Sequence, residues 1–443
     1  MKLFDTLTQE QKLLDKKNIN IYSCGPTVYD FIHVGNARPI ILMDTLIRFL
    51  EANNVKVNFL QNITDIDDKI IERAIAENIT EEEIADKYTK AFKDNLKKLN
   101  IRMPDKLIPI SDKIKQMETF ILELLNTSDA YESNRNIYFN IKENADQYGK
   151  LSKAKIEDLI SGARVQADEN KQDPLDFALW KNTEKGKKWN IGNSGNLGRP
   201  GWHTECAVLI DEYFNKETVD IHSGGIDLQF PHHENERIQY IAKNKKEIAD
   251  IWMHNGHLTI DREKMSKSLG NAMTLTNFLE KYNPDILRWI FLITYYKQPI
   301  NISDDLIEQG NKFIVKLNNL NKKVKQLVIT DNFKLDDSID KEIIDEFNNF
   351  MNDDLNTSRV LTLIEDVLKD INKVLLSKDF LVITKKINAL NFVLNTLGLS
   401  IKIDANVNVN DKQTFLMWKE LISAKDFEQA DKIRESLVEK GIL

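Results

Sequence analysis

Three patterns in this 443-residue chain carry residue types that do chemistry. The first is His33-Val34-Gly35-Asn36. A helix that starts here offers free backbone N–H groups and the positive end of its dipole, and Gly35 lets a ligand approach the backbone. His33 and Asn36 then donate hydrogen bonds to a phosphate and stabilise charge that grows in a transition state. The second is Lys264-Met265-Ser266-Lys267-Ser268, two ammonium groups on a loop, suited to a polyphosphate leaving group. The third joins Cys24 and Cys206 to Pro231-His232-His233-Glu234-Asn235-Glu236. His232 and Glu236 are four apart and share one helix face. Two thiolates, an imidazole and a carboxylate suit zinc. A metalloprotease is excluded, because the second histidine of that motif would fall on Arg237. Each pattern alone also has an ordinary reading: a turn histidine beside a helix cap, a solvated basic loop, two buried cysteines near a polar helix start.

The elements that must position these groups can be read from periodicity. Asn18 to Ser23 alternates apolar and polar residues, as do Val55, Val57 and Phe59, so both read as strands. Between them, Leu42, Leu46, Phe49 and Leu50 predict a helix over Ala37 to Glu51 with Pro39 in its first turn. Strand, helix, strand is the crossover unit of a parallel sheet, and ligands bind at the carboxyl ends of such strands. That end of the first strand carries Cys24 and leads to His33. The pattern resumes near Val219 to His222, and Trp252 to Ile260 reads as a strand before the lysine pair. Residues ~95–200 read as an interruption of the sheet, with a helix near Lys113 to Leu125 and a Gly/Asn/Lys-rich stretch from Lys185 to Gly201.

Thirteen of the 16 glycines lie at or before Gly270, and Pro299 is the last of nine prolines, so the remainder reads as all-helical. Phe313, Leu317, Leu320, Val324 and Leu327 form one bundle stripe; Ile364, Leu368, Ile371 and Leu375 form another. Ile401 to Gln413 reads as a linker and Asp426 to Glu439 as a last charged helix. Composition is that of an ordinary globular chain, 42% hydrophobic and 29% charged, long enough for about three domains. No apolar run approaches the ~18 residues of a membrane helix, and no secretory signal is seen. Two cysteines build no disulfide framework, which points to the cytosol. A net charge of −8 argues weakly against nucleic acid, although a local basic track is compatible with it. Six of the seven histidines crowd between His203 and His257, together with Cys206.

All three patterns occur in order, and the text around them closely resembles the cysteinyl-tRNA synthetases, a family of class I aminoacyl-tRNA synthetases. His33 to Asn36 is similar to their HIGH signature, and Lys264 to Ser268 matches KMSKS letter for letter. Cys24 to Asp30, Asn62 to Lys69, Gly162 to Val165, Pro200 to Cys206, Asp220 to His222, Phe230 to Glu236 and Asp285 to Arg288 agree as well. The resemblance implies a Rossmann-type parallel-sheet α/β catalytic domain (1–95 and 200–260) with a connective insertion (96–199). A KMSKS-bearing connecting region (261–300) would follow, then an all-α helical bundle that binds the anticodon stem (301–400). Residues 401–443 would be a short, truncated anticodon-end segment. It further implies that L-cysteine and ATP, with Mg²⁺, form cysteinyl-adenylate and pyrophosphate, and that the cysteinyl group passes to the 3′ end of tRNA(Cys). One Zn²⁺ per chain would be held by Cys24, Cys206, His232 and Glu236 and would hold the substrate thiolate.

By the same resemblance His33, Asn36, Lys264 and Lys267 are catalytic. Gly35, Gly225 and Asp227 bind ATP alongside His33, Asn36 and Lys267, while Thr64, Trp202 and His222 border the amino acid. Asn36 departs from the HIGH pattern, since its amide donates a hydrogen bond but cannot become cationic. A cytoplasmic monomer is expected, with no membrane partner. Two other readings stay open: a paralogue joining cysteine to a small amine, as in the mycothiol ligases, and a catalytically silent tRNA- or zinc-binding paralogue.

Overall fold

A computed structural model describes residues 1–154, 170–192, 196–260, 263–264 and 273–443. They form two compact units, Met1–Lys281 with Tyr296–Asn301, and Tyr282–Tyr295 with Ile302–Leu443. The stretch expected as a connecting region is therefore divided between them.

The first unit opens on a hairpin, β1 (Lys2–Asp5) and β2 (Glu10–Leu13). Asp5 is fully buried and accepts hydrogen bonds from the backbone N–H of Trp252 (2.9 Å), Leu7 and Thr8. The chain then enters β3 (Asn18–Ser23), α1 (Ala37–Ala52) and β4 (Lys56–Ile63), and β3 and β4 pair in parallel as their alternation predicts. After β4 come α2 (Asp68–Glu77), α3 (Glu81–Lys98) and β5 (Lys106–Pro109), which pairs in parallel with β4. This corrects the expected insertion boundary at residue 96. Four residues ending in proline are too short to show a period, yet they extend the main sheet.

Past α4 (Ile114–Asn126) the chain builds a sheet of its own. Its strands are β6 (Ala130–Ser133), β7 (Asn136–Phe139), β8 (Phe177–Asn182), β9 (Trp189–Ile191) and β10 (Asn196–Pro200), antiparallel in the order β6-β7-β8-β10-β9. Lys185 to Gly201 is thus partly strand, although its glycines and lysines suggested a loop. Gly201 closes the sheet against Ala178, where a Cβ would stand 1.9 Å from the carbonyl oxygen. Only glycine permits that approach, and it launches α5 (Trp202–Tyr213).

The chain returns to the main sheet with β11 (Val219–Gly225), whose seven residues are all buried. It continues through α6 (Glu234–Asn244) to β12 (Ala249–Asn255), then β13 (Leu258–Ile260) and β14 (Glu263–Lys264). The strand expected from Trp252 to Ile260 is therefore broken. At the break, the buried Arg38 guanidinium of α1 donates to the carbonyls of Gly256 (2.7 Å), His257, Tyr296 and Gln298 (2.5 Å). Arg38→Met removes a charged donor from all four. The carbonyls of Gly256, His257 and Tyr296 keep bonds from Asn255 Nδ2, Ile300 N–H and Gly256 N–H, while that of Gln298 loses its Arg38 donor. The change should cost roughly 2–3 kcal/mol, on the order of one charge-assisted hydrogen bond. Urea denaturation monitored by circular dichroism checks this, and an unshifted midpoint refutes it. The main sheet is parallel in the order β12-β11-β3-β4-β5. Chain order reverses between β3 and β11, and a crevice opens at the carboxyl ends there.

The second unit is helical. Its first helix, α8 (Pro284–Leu292), follows α7 (Leu275–Lys281) of the first unit and carries Asn283 as its cap. The buried Asp285 accepts from the Ser400 backbone N–H, and Arg288 donates to the Leu397 carbonyl. In α9 (Asp304–Asp331) the whole stripe from Phe313 to Leu327 is buried. The helices α10 (Lys341–Asn352), α11 (Thr357–Ser377) and α12 (Phe380–Thr396) follow. Ile364, Leu368 and Ile371 are buried, and only Leu375 in the last turn is half-exposed. The linker is shorter than expected: Asn408 caps α13 (Val409–Ser423), so helix begins inside the polar stretch. Asp426 caps α14 (Phe427–Glu439). Among the described residues no helix is long and apolar enough to cross a membrane.

Candidate active site and metal centre

The reversal of chain order brings the loop after β3, the end of β11 and the start of α5 around a cleft of about 380 Å³. Cys24 leaves β3, Cys206 lies one turn into α5, and His232 and Glu236 flank the start of α6. Their ligand atoms all lie within 4.8 Å of one another. The sulfurs are 3.7 Å apart, far beyond a disulfide bond. Tetrahedral zinc with bonds of about 2.3 Å to sulfur sets two sulfurs about 3.8 Å apart. Cys206 Sγ to His232 Nε2 is 3.6 Å, Cys24 Sγ to Glu236 Oε1 is 3.5 Å, and His232 Nε2 to Glu236 Oε1 is tighter at 2.8 Å. The donor set and its spacing fit a zinc-type cation. A second grouping, Cys24 with His222, His233 and Glu236, meets the same 4.8 Å limit.

Electrostatics point the same way. Burial opposes the charge on Glu236, but His232 and His222 hold its carboxyl well below the usual range. Burial likewise opposes charge on His232, yet Glu236 and Cys206 carry it up to about 10. Burial lifts the Cys24 thiol, and Cys206 and Glu236 add to that. At Cys206 the contacts with Cys24 and His232 outweigh burial and draw the thiol down. The Glu236 carboxylate held out of water favours a positive charge beside it, which a proton on His232 or a bound metal cation would supply.

A second layer aims these donors. His222 Nε2 lies 2.7 Å from Glu236 Oε2, which leaves Oε1 toward Cys24 and His232. His203 Nδ1 lies 3.0 Å from His232 Nδ1, and burial with the nearby His232 charge lowers His203 to about 3. A neutral His203 accepts the Nδ1 proton of His232, so a metal that displaced the other proton would find Nε2 as its donor atom. His233 Nε2 sits 3.3 Å from Cys24 Sγ, and its Nδ1 reaches His254 Nε2 at 2.8 Å, which reaches Thr6 Oγ1. Sequence reasoning assigned no role to His203, His233 or His254; the signals were the crowding of histidines and, for the first two, their place within segments that resemble the family.

The other expected residues fall into place as follows. Trp202 is 39% exposed, lines the cleft and stacks on His232 with ring centres 3.9 Å apart, so it is not a core indole. Thr64 and His222 are buried and are not among the residues that line the cleft. Thr64 is buried and donates to Glu205 (2.6 Å), whose carboxyl burial pushes well above the usual range. At the far end, His33, Gly35 and Asn36 line the cleft just ahead of α1. Asn36 Oδ1 accepts from the His33 backbone N–H (3.1 Å), which leaves the amide nitrogen to donate outward. A Cβ on Gly35 would come within 2.9 Å of the His33 ring. Gly225 and Asp227 line the cleft at the end of β11. Lys264 pairs through its backbone with Thr259, and the chain reappears at Met273, whose carbonyl accepts from Val34 N–H (3.1 Å). The Lys264 side chain, Lys267 and Gly162 to Val165 lie outside the described residues.

Residues 10–312 match the family model "tRNA synthetases class I (C) catalytic domain", and residues 346–402 match a DALR domain. A Mesoplasma florum protein named Cysteine--tRNA ligase is 66% identical over 443 residues, all of both chains. The chain belongs to the cysteinyl-tRNA synthetase family of class I. Its Mycoplasma mycoides relative of the same name is 53% identical, again over the whole of both chains. Among solved structures this synthetase superposes on Mycobacterium tuberculosis methionyl-tRNA synthetase in complex with methionyl-adenylate, with a TM-score of 0.64. That match covers 86% of this chain and 90% of the other at 16% identity, and shows the shared class I fold. Family membership makes this an ATP-dependent synthetase with a parallel-sheet catalytic core.

Proposed function

We propose that this chain activates L-cysteine with ATP and transfers the cysteinyl group to the 3′ end of tRNA(Cys), with one zinc selecting the substrate. The observation that carries the reading is the Cys24, Cys206, His232, Glu236 set at one end of a cleft whose other end is His33 to Asn36. Of the two donor groupings, this one holds both sulfurs and leaves His222 and His233 free to orient ligands. When bound there, zinc supplies a thiophilic Lewis-acidic position for the thiol of cysteine.

The chain's own residues do the rest. Trp202 walls the amino-acid end and keeps the substrate beside Cys24. The substrate carboxylate oxygen attacks the α-phosphorus of ATP, and the bond to pyrophosphate breaks in line. His33 and the Asn36 amide donate to the phosphate oxygens as charge grows, and the start of α1 adds its dipole. Lys264 and Lys267 neutralise the departing pyrophosphate, and Mg²⁺ accompanies ATP. Gly225 and Asp227 hold the ribose, where Asp227 accepts from the hydroxyls. The terminal ribose hydroxyl of tRNA then attacks the carbonyl carbon, and AMP leaves. Thr64 acts from behind the wall, through Glu205. A cytosolic monomer is part of this reading.

Serine differs by one atom, but its hydroxyl ionises far less readily than a thiol and suits a soft site poorly. Cysteine-dependent ATP–pyrophosphate exchange is therefore expected to exceed serine-dependent exchange by about 10⁴ or more. Equal exchange with both amino acids defeats the selectivity argument. Charging of tRNA decides between this function and its rivals: a small-amine ligase retains exchange without charging, and a silent paralogue shows neither. The helical second unit and its DALR match favour the tRNA enzyme.

A further inference from the structure

Two sequence segments that mark the family, Cys24 to Asp30 and Asn62 to Lys69, have so far supplied the cleft with only one chemical group, the Cys24 sulfur. Yet, with Phe31 just after the first of them, they line one side of it. Tyr29, Phe31 and Lys69 line the cleft alongside the residues assigned to cysteine and ATP. Tyr29 and Phe31 come from the connection between β3 and α1, and Lys69 is the second residue of α2.

The chemistry of this wall differs from the rest. Lys69 Nζ stands over the Tyr29 ring, 5.1 Å from its centre. Acidic residues surround it in sequence, but the two immediately before it are engaged elsewhere. Asp67 accepts from the Lys69 backbone N–H as the cap of α2, and Asp68 pairs with Lys181 and Arg199. Among the described residues no carboxylate forms an ion pair with the Lys69 ammonium, which lines the cleft together with Asp30 and Asp227. Phe31 is half-buried and braced edge-on by Tyr88, ring centres 5.1 Å apart at 89°. A cation without an ion pair over one aromatic ring, with a second, braced ring on the same cleft, is how proteins hold single-stranded nucleic acid, the cation on a phosphate and the rings against bases. A lysine serves a phosphate as a point charge.

We propose that Lys69, with the rings of Tyr29 and Phe31, is the platform on which the unpaired 3′ end of tRNA docks for the transfer step. This rests on the function proposed above and assigns the second substrate its own wall, separate from the one that binds ATP. The shared chemistry is a phosphate, which ATP also carries, so the two half-reactions must be read separately.

Lys69→Gln, at an exposed position, should leave cysteine-dependent pyrophosphate exchange within about twofold. Single-turnover transfer from preformed adenylate should fall about tenfold to a hundredfold in kcat/KM for tRNA. Lys69→Arg should restore most of the loss, and Phe31→Leu should lower transfer without lowering exchange. In filter binding, Lys69→Gln should weaken intact tRNA, but bind tRNA lacking its unpaired 3′ nucleotides as the unaltered protein does. An equal fall in both half-reactions would assign Lys69 to ATP and overturn the proposal. So would an unchanged transfer rate, or a binding defect that persists on the shortened tRNA. Failure of exchange in the unaltered protein instead removes the proposed function, and the filter-binding arm still reads the platform.

Discussion

Cys206→Ala should release the metal and lower cysteine-dependent pyrophosphate exchange by at least about a thousandfold. Loss of an outer-shell partner alone typically costs about 10–100-fold in metal affinity or activity, and Cys206 is a proposed ligand itself. It is 1% exposed, its sulfur lies 3.7 Å from Cys24 and 3.6 Å from His232, and it holds one of only two thiols in the chain. Removing it leaves Cys24, His232 and Glu236, a harder set with less preference for zinc. The change deletes one buried sulfur, so the fold should survive, which a thermal melt by circular dichroism verifies. Metal content by atomic emission after dialysis against a chelator reads the site directly. Full occupancy in a folded variant would move the ion to Cys24, His222, His233 and Glu236, the alternative grouping.

Gly25→Ala should be nearly as damaging, although the added group is a single methyl. A Cβ at residue 25 would lie 1.7 Å from the Asn62 backbone oxygen. Backbone cannot rotate away as a side chain can, so β4 and the loop after β3 would have to separate. The same change strains the hydrogen bond from Gly25 N–H to Asn62 Oδ1 (2.6 Å). Cys24 is the preceding residue and would move with the loop. Displacing reacting groups by about 1 Å costs about a hundredfold. Exchange is expected to fall by that factor or more, with a lowered melting temperature. Unchanged exchange and an unchanged melt would mean the two strands yield more easily than their spacing implies.

Much of this site was legible because its parts are local in sequence. Asn18 to Ser23 alternates cleanly and Ala37 to Ala52 carries a continuous stripe, so strand, helix and their connection could be read with His33 already at the helix start. The candidate donor set was named from residue type together with the family resemblance, and its four ligand atoms lie within 4.8 Å of one another. What escaped depends on partners distant in sequence. β5 is four residues long and becomes a strand by pairing with β4. The insertion's strands are three to six residues each, too short for a period to stand out. The break after β12 is held by Arg38, more than 200 residues earlier. Thr64 was expected at the cleft, but its hydroxyl points inward to Glu205, 141 residues on.

The opening hairpin has a consequence for how the protein is made. Asp5 holds the backbone of Trp252, and Thr6 N–H donates to the carbonyl of the same residue (2.9 Å). The hairpin thereby covers the outer side of β12, an edge of the parallel sheet. Uncovered edges invite pairing with other chains. On the ribosome the cover is finished first and its strand emerges 247 residues later, about 12–50 s at ordinary elongation rates of about 5–20 residues per second. For that interval the first residues wait without their partner. Once β12 appears, a partner for its edge has already been made in the same chain, at a far higher effective concentration than any neighbouring chain offers.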